Sequence, residues 1–170
     1  MTHVFWTILS IFAAQRLLEL AVAKFNEKNA LKEGAVEYGR RHYPYIVAMH
    51  VLFFICLIWE TIAFQRGPLP MALVVLTGLI FTQALRYWAL FSLGRCWNTK
   101  ILVIPGTNLV RKGPYQWFKH PNYVAVALEF LLLPVLFQAY ATALLFTVLN
   151  AAVMYIRIRT EEQALEKLHH

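Results

Sequence analysis

The chain has 170 residues, 59% of them hydrophobic and only 15% charged, and it carries a net charge of +7. Soluble domains are about 25% charged, so this composition excludes an ordinary water-soluble globule and points to a small integral membrane protein of one domain, residues 1–170. The basic excess reads as a signal for membrane topology and anionic lipid, and no nucleic-acid partner is expected.

A helical crossing needs about 20 predominantly apolar residues, and such windows recur along the chain. The first covers about 4–24 and holds Arg16 and Glu19, three apart and so on one helical face. No cleavable signal is expected, because Met1–Ser10 lacks a basic segment and these two charges interrupt the apolar run. The second window, 43–64, contains His50, Cys56 and Glu60, and the third, 70–93, contains Arg86. Charges are costly at membrane depth, so Arg16, Glu19, Glu60, Arg86 and Glu129 should face the bundle interior. Two roles fit them: an internal Arg–Glu packing network, such as Arg86 with Glu19, or a functional polar site. His50 reads as a satisfied core histidine. Cys56 lies inside a span and Cys96 near a membrane face, so neither a disulfide nor a metal site is expected.

The connector 94–120 follows. Ile101-Leu102-Val103-Ile104 is apolar and rich in β-branched residues, while Pro105-Gly106 and Gly113-Pro114 are turn signals, so the connector should be ordered and tightly turned. Beyond it, Pro121 to Ile156 is 36 residues, or roughly 54 Å of helix against an apolar core of about 30 Å. One crossing cannot absorb that length. Pro134 with Gln138 marks the break, giving spans at about 121–138 and 139–160 that form a hairpin.

The expected fold is therefore an all-α membrane bundle of five transmembrane helices. Lys24, Lys28, Lys32, Arg40 and Arg41 in the first connector, Arg95, Lys100, Arg111, Lys112 and Lys119 in the second, and Arg157, Arg159 and Lys167 at the end all fall on one side of it. Arg66 alone faces them. This asymmetry places the N-terminus outside a cell membrane, with the C-terminus and the two charged clusters in the cytoplasm.

Those clusters carry the chemistry. Pro121 suits the first turn of a helix, with His120 and Tyr123 at its start, and a helix N-terminus with unpaired N–H groups suits an anionic group. Across the hairpin, Arg157 and Glu161 are four apart and share a face, with Glu162 beside them. Each cluster alone would be a helix start or a solvated ion pair.

Together, Gly113-Pro114-Tyr115, Lys119-His120-Pro121-Asn122-Tyr123, Arg157, Glu161-Glu162 and Leu165 resemble the isoprenylcysteine carboxyl methyltransferase family. The stretches Arg16-Leu17-Leu18-Glu19, Asn26-Glu27-Lys28, Gly34–Gly39 and His42-Tyr43-Pro44 look like its bacterial branch, associated with O-methylation of long-chain alkylpyrones or alkylresorcinols. The resemblance implies S-adenosylmethionine at the cytoplasmic face and a lipophilic acceptor entering from the bilayer. It implies cofactor contacts from Thr107, Asn108, Leu109, Val110, Tyr115, His120, Pro121, Asn122, Tyr123, Glu161 and Glu162, and from Lys100 in the connector. Arg157 is implied beside the acceptor, and Glu129, mid-span and near this site, is a second acceptor-side candidate.

The residue chemistry agrees. A carboxylate such as Glu161 can take ribose hydroxyls or an amino group, and helix-start donors a carboxylate. Displacement at a sulfonium methyl depends mostly on positioning. Arg157 can hold an anionic oxygen, with His120 as base for a less acidic hydroxyl.

Lys119 stands where the family usually has arginine, which keeps charge but loses the planar fork. Eight residues follow Glu162, without the aromatic, glycine-containing segment of the eukaryotic enzymes. A smaller or more purely lipidic acceptor is then expected ahead of prenylcysteine. A phospholipid amine N-methyltransferase is an alternative in the same class. A small transporter or lipid-binding protein is the alternative outside it, which predicts an inverted repeat that the sequence lacks.

Overall fold

The structure, a computed structural model, describes residues 2–107 and 110–166. Helix α1 runs Thr2–Lys32 and continues past the expected end near residue 24. Apolar patterning stops where Lys24 enters, but Lys, Glu, Asn and Ala prolong a helix readily and no Gly or Pro interrupts. The stop is Gly34, at φ 83°, with its N–H on the Leu31 carbonyl and the Ala35 N–H on Ala30. Thirty-one residues are roughly 46 Å of helix, so the last turns of α1 project beyond a bilayer core.

Helix α2, Tyr43–Ala63, carries Pro44 in its first turn, and α3 covers Ala72–Leu93 after the Gly67-Pro68 break. Helix α4, Pro121–Leu136, and α5, Tyr140–Glu166, follow the connector. Pro134 does not end α4 on the spot. The helix runs two residues further, and the break is Phe137–Ala139, with Gln138 left-handed at φ 58° and the Ala139 N–H donating to the Pro134 carbonyl. Among the described residues four helices are long and apolar enough to cross a membrane, and the chain is a multi-pass membrane protein. Helix α4 is shorter, at 16 residues.

The all-α bundle carries one small addition. Strand β1, Val36–Tyr38, pairs antiparallel with β2, Ile101–Val103, in the register Val36↔Val103, Glu37↔Leu102, Tyr38↔Ile101. This small sheet ties the two basic connectors together. Ile101 and Val103 are buried against Ala164 and Leu165 on the far end of α5.

The apolar core is aromatic and sits between α1, α2, α4 and α5. Phe53 lies 4.4 Å from Phe130 between ring centroids, and Phe5 meets Phe137 edge-on at 4.9 Å. At one end of the bundle, buried Glu60 accepts from the Thr142 N–H at 2.7 Å, the Thr142 hydroxyl at 2.7 Å and the Ala141 N–H at 3.2 Å. It thereby caps α5 from a neighbouring helix, where orphan N–H groups and the helix dipole favour a carboxylate.

Nearer the other end, the remaining intramembrane charges form one network. Arg86 binds Glu19 through Nε at 2.6 Å and through Nη2, and its Nη1 lies 3.6 Å from Glu129. Arg16 bridges Glu19, at 3.1 Å, and Glu129. Gln83 donates to Glu129 at 2.6 Å, and Gln15 to Gln83 at 2.8 Å. Two guanidinium groups face two carboxylates, so the network is neutral and joins α1, α3 and α4.

Candidate active site

The start of α4 and the last turns of α5 meet with the connector around a cavity of about 580 Å³. Gly113, at φ 57°, lets the connector press on α3, where a Cβ would run into Ser92 and come within 2.9 Å of the Trp88 indole nitrogen. The turn that follows, Gly113–Gln116, aims Tyr115 into the cavity. Burial, with the Glu161 carboxylate nearby, pushes the Tyr115 phenol well above its ordinary range, so it stays a neutral O–H donor.

His120 precedes α4, and no side chain caps that helix among the described residues. Its ring stacks on Tyr123 at 5.1 Å, and Nε2 stands 4.0 Å from Glu162, beyond hydrogen-bond reach. His120 Nε2 and Asn122 Oδ1 are both buried without a hydrogen-bond partner among the described residues, and both residues line the cavity. Unpaired buried polar atoms are costly, and a hydrogen-bonding ligand in this cavity would relieve both. On the α5 side, Tyr123 donates its O–H to Glu161, and Arg157 Nε donates to the same Tyr123 oxygen at 2.8 Å.

Lys100 lines this cavity but is committed elsewhere. Its ammonium pairs with Glu27 at 2.6 Å and lies 3.7 Å from Glu37, and the bond to Glu27 raises its pKa. The connector is pinned to the extended end of α1. Asn26 donates to the Trp97 carbonyl at 2.8 Å, and Asn98 to the Ala23 carbonyl at 3.1 Å. Nothing in the sequence marks Asn98 or Trp97 for this role, since isolated residues in a connector follow no periodic pattern.

A second cavity, of about 320 Å³, lies between α1, α2 and α5. Its walls are mostly apolar, with Leu17, Leu20, Val47 and Val51 among them, and these four are also exposed on the outer surface of the helices. The cavity therefore opens sideways, onto the exposed apolar flank of these helices. Trp97, Asn98, Asn122, Tyr123 and Arg157 line both cavities. Arg157 is 7% exposed, and its terminal nitrogens have no hydrogen-bond partner among the described residues.

The other expected residues fall as follows. Val110, Glu161 and Glu162 line the polar cavity. Pro121 is buried at the start of α4 and lines neither cavity, and Thr107 spends its hydroxyl on the Ile104 carbonyl at 2.7 Å. Asn108 and Leu109 lie outside the described residues. Glu129 also lines neither cavity and is held in the Arg16–Arg86 network.

Comparison with known proteins bears on this arrangement. Residues 72–167 match the model of the isoprenylcysteine carboxyl methyltransferase family. An uncharacterised Bacillus subtilis protein, YpbQ, is 50% identical over 163 residues, covering 96% of this chain and 97% of its own. An uncharacterised Haemophilus influenzae protein is 28% identical over 91% of each chain. No solved structure matches the chain.

Proposed function

Because the chain belongs to the isoprenylcysteine carboxyl methyltransferase family of membrane methyltransferases, we propose that it methylates an oxygen of a lipophilic acceptor using S-adenosylmethionine. The observation that supports this most is the shared wall. A polar cavity with unpaired donors and acceptors and an apolar cavity open to lipid meet at Asn122, Tyr123 and Arg157.

S-adenosylmethionine, when bound, supplies a methyl group on a sulfonium centre. The residues that would hold it are those of the polar cavity: Tyr115, His120, Asn122, Tyr123, Glu161 and Glu162, with Val110 and Lys100 at the margin. Asn122 Oδ1 accepts from an amino group, and the Glu161 carboxylate takes hydroxyl or ammonium donors. Arg157 presents its guanidinium to an oxygen arriving from the apolar cavity and favours that oxygen's ionised form. His120 takes the proton of a hydroxyl too weakly acidic to ionise alone. The dry apolar walls keep water from competing with the acceptor.

The acceptor in this reading is a long-chain polyketide hydroxyl, of the alkylpyrone or alkylresorcinol kind, in a cavity that suits a slender apolar chain with one acidic head. The protein sits in the cell membrane as five spans, with the site at the cytoplasmic face and the N-terminus outside. In a Cys56→Ser, Cys96→Ser background, Lys112→Cys should react with an impermeant maleimide only after cells are opened. Labelling of intact cells would invert the topology.

Two measurements test the function. Purified protein with labelled S-adenosylmethionine and a panel of pyrones, phenols, prenylcysteines, fatty acids and phospholipid amines should label the long-chain hydroxyls. Label confined to prenylcysteine or to amines moves the acceptor accordingly, and no label anywhere sinks the enzyme reading. Calorimetry on Glu161→Gln should show S-adenosylmethionine affinity lowered by about tenfold or more, since a charge-assisted bond is lost. Unchanged affinity takes Glu161 out of the cofactor site.

A further inference from the structure

His50 stands two turns into α2, among the apolar residues of the second cavity. Its Nδ1 meets the Ile46 carbonyl at 2.8 Å, and its ring is held edge-on against Phe130 at 5.0 Å between centroids. A carbonyl can only accept, so Nδ1 carries the proton and the neutral ring keeps one free polar atom, the Nε2 lone pair. That nitrogen has no hydrogen-bond partner among the described residues, it is not among the fully buried unpaired atoms, and His50 lines the cavity.

The contrast with its neighbours is informative. Arg16, Glu19 and Arg86 also reach the cavity wall, but each is spent on an ion pair within the network. Arg157, at the shared wall, is a donor only. His50 is therefore an acceptor in fixed orientation, facing a chamber that also holds a guanidinium whose terminal nitrogens are unpaired among the described residues. A polar atom left unpaired in an apolar cavity is costly unless the occupant pairs with it.

We propose that His50 is an acceptor-binding residue: its Nε2 accepts a hydrogen bond from a second donor on the lipid's head group, so the site selects amphiphiles with two polar functions. One oxygen lies at Arg157 and is methylated; the other, a hydroxyl, is held at His50. This rests on the methyltransferase reading above and narrows its substrate class. It sets long-chain lipids with two head-group hydroxyls ahead of those with one. No bond is made or broken at His50.

The test compares a meta-alkylphenol with the alkylresorcinol of equal chain length, using wild type, His50→Phe and His50→Gln, with S-adenosylmethionine affinity measured alongside. Phenylalanine keeps a ring against Phe130 and removes the lone pair, and the glutamine carbonyl can still accept. Wild type should favour the resorcinol in kcat/KM by about tenfold. His50→Phe should erase that preference through KM for the resorcinol, leaving the phenol and cofactor affinity nearly unchanged. His50→Gln should restore part of it.

An equal preference in wild type and His50→Phe overturns the inference while leaving the methyltransferase reading intact. So does a loss in His50→Phe that strikes both lipids alike. Bound cofactor with no methylation of either lipid, or of any other long-chain hydroxyl, overturns the acceptor reading and this inference with it. If His50→Phe does not fold, the wild-type ratio and His50→Gln decide: no preference in wild type overturns the proposal.

Discussion

Arg157→Leu should lower methyl transfer by about 10²–10³-fold while leaving S-adenosylmethionine affinity within about threefold. A positioned donor aimed at developing or resident charge in a dry site is worth about that much. Arg157 meets those conditions: it is buried in the wall between the two cavities and is tied at Nε to the Tyr123 oxygen. Its terminal nitrogens remain unclaimed among the described residues. Leucine keeps the apolar stem and removes the only cation lining the apolar cavity, among the described residues, that is not already paired with a carboxylate. Arg157→Lys should fall between, since lysine restores charge without the planar fork. Tyr123→Phe should cost less than either, because it removes the brace on Arg157 and the bond to Glu161 but leaves the guanidinium in place. Turnover with labelled cofactor, read beside calorimetric affinity, separates these roles. If Arg157→Leu loses cofactor binding together with turnover, Arg157 belongs to the polar cavity and the acceptor is held by other groups.

Why was this much readable from residue order? The helix spans are long runs of apolar residues, and hydropathy locates such runs within a few positions. It does not locate where a helix ends once it leaves the membrane. Lys24 ended the apolar pattern eight residues before α1 itself ended, and Glu161–Glu166 prolong α5 in the same way. The pairing of Val36–Tyr38 with Ile101–Val103 was beyond reach for another reason. A three-residue strand gains its stability from a partner far along the chain, and the first strand, Val-Glu-Tyr, has no alternation long enough to register.

The site divides along the same line. His120 and Tyr123 at a helix start, and Arg157 with Glu161 one turn apart, follow from local spacing, and the structure sets them around one cavity. The apolar cavity depends instead on which faces of α1 and α2 part from each other. Both helices are apolar nearly all round, so no periodicity marks the gap, and His50, which reads as a satisfied core histidine, is hydrogen-bonded at Nδ1 alone among the described residues. Its second nitrogen is a matter of three-dimensional placement. Glu129 shows the converse: mid-span beside the site in sequence, it is turned into the ionic network.

That network supplies the other large effect. Arg86→Leu should destabilise the protein by about 3–5 kcal/mol, because removing one member of a buried ionic group leaves charge uncompensated. Glu19 and Glu129 would then share Arg16 alone, at 5% and 3% exposure, where water cannot make up the deficit. The double change Arg86→Leu with Glu19→Leu should recover much of the loss, since one guanidinium would again face one carboxylate, and apolar replacement of a buried pair is often close to neutral. Thermal unfolding in detergent or nanodiscs measures both. The pattern distinguishes packing from transport. A network that fixes α1, α3 and α4 gives non-additive losses in stability, with methyl transfer surviving in the double variant. A polar pathway for a substrate gives single variants as stable as wild type and equally inactive in the double. A stable Arg86→Leu protein would remove the packing account, and with it the reason that four charges sit inside a bilayer.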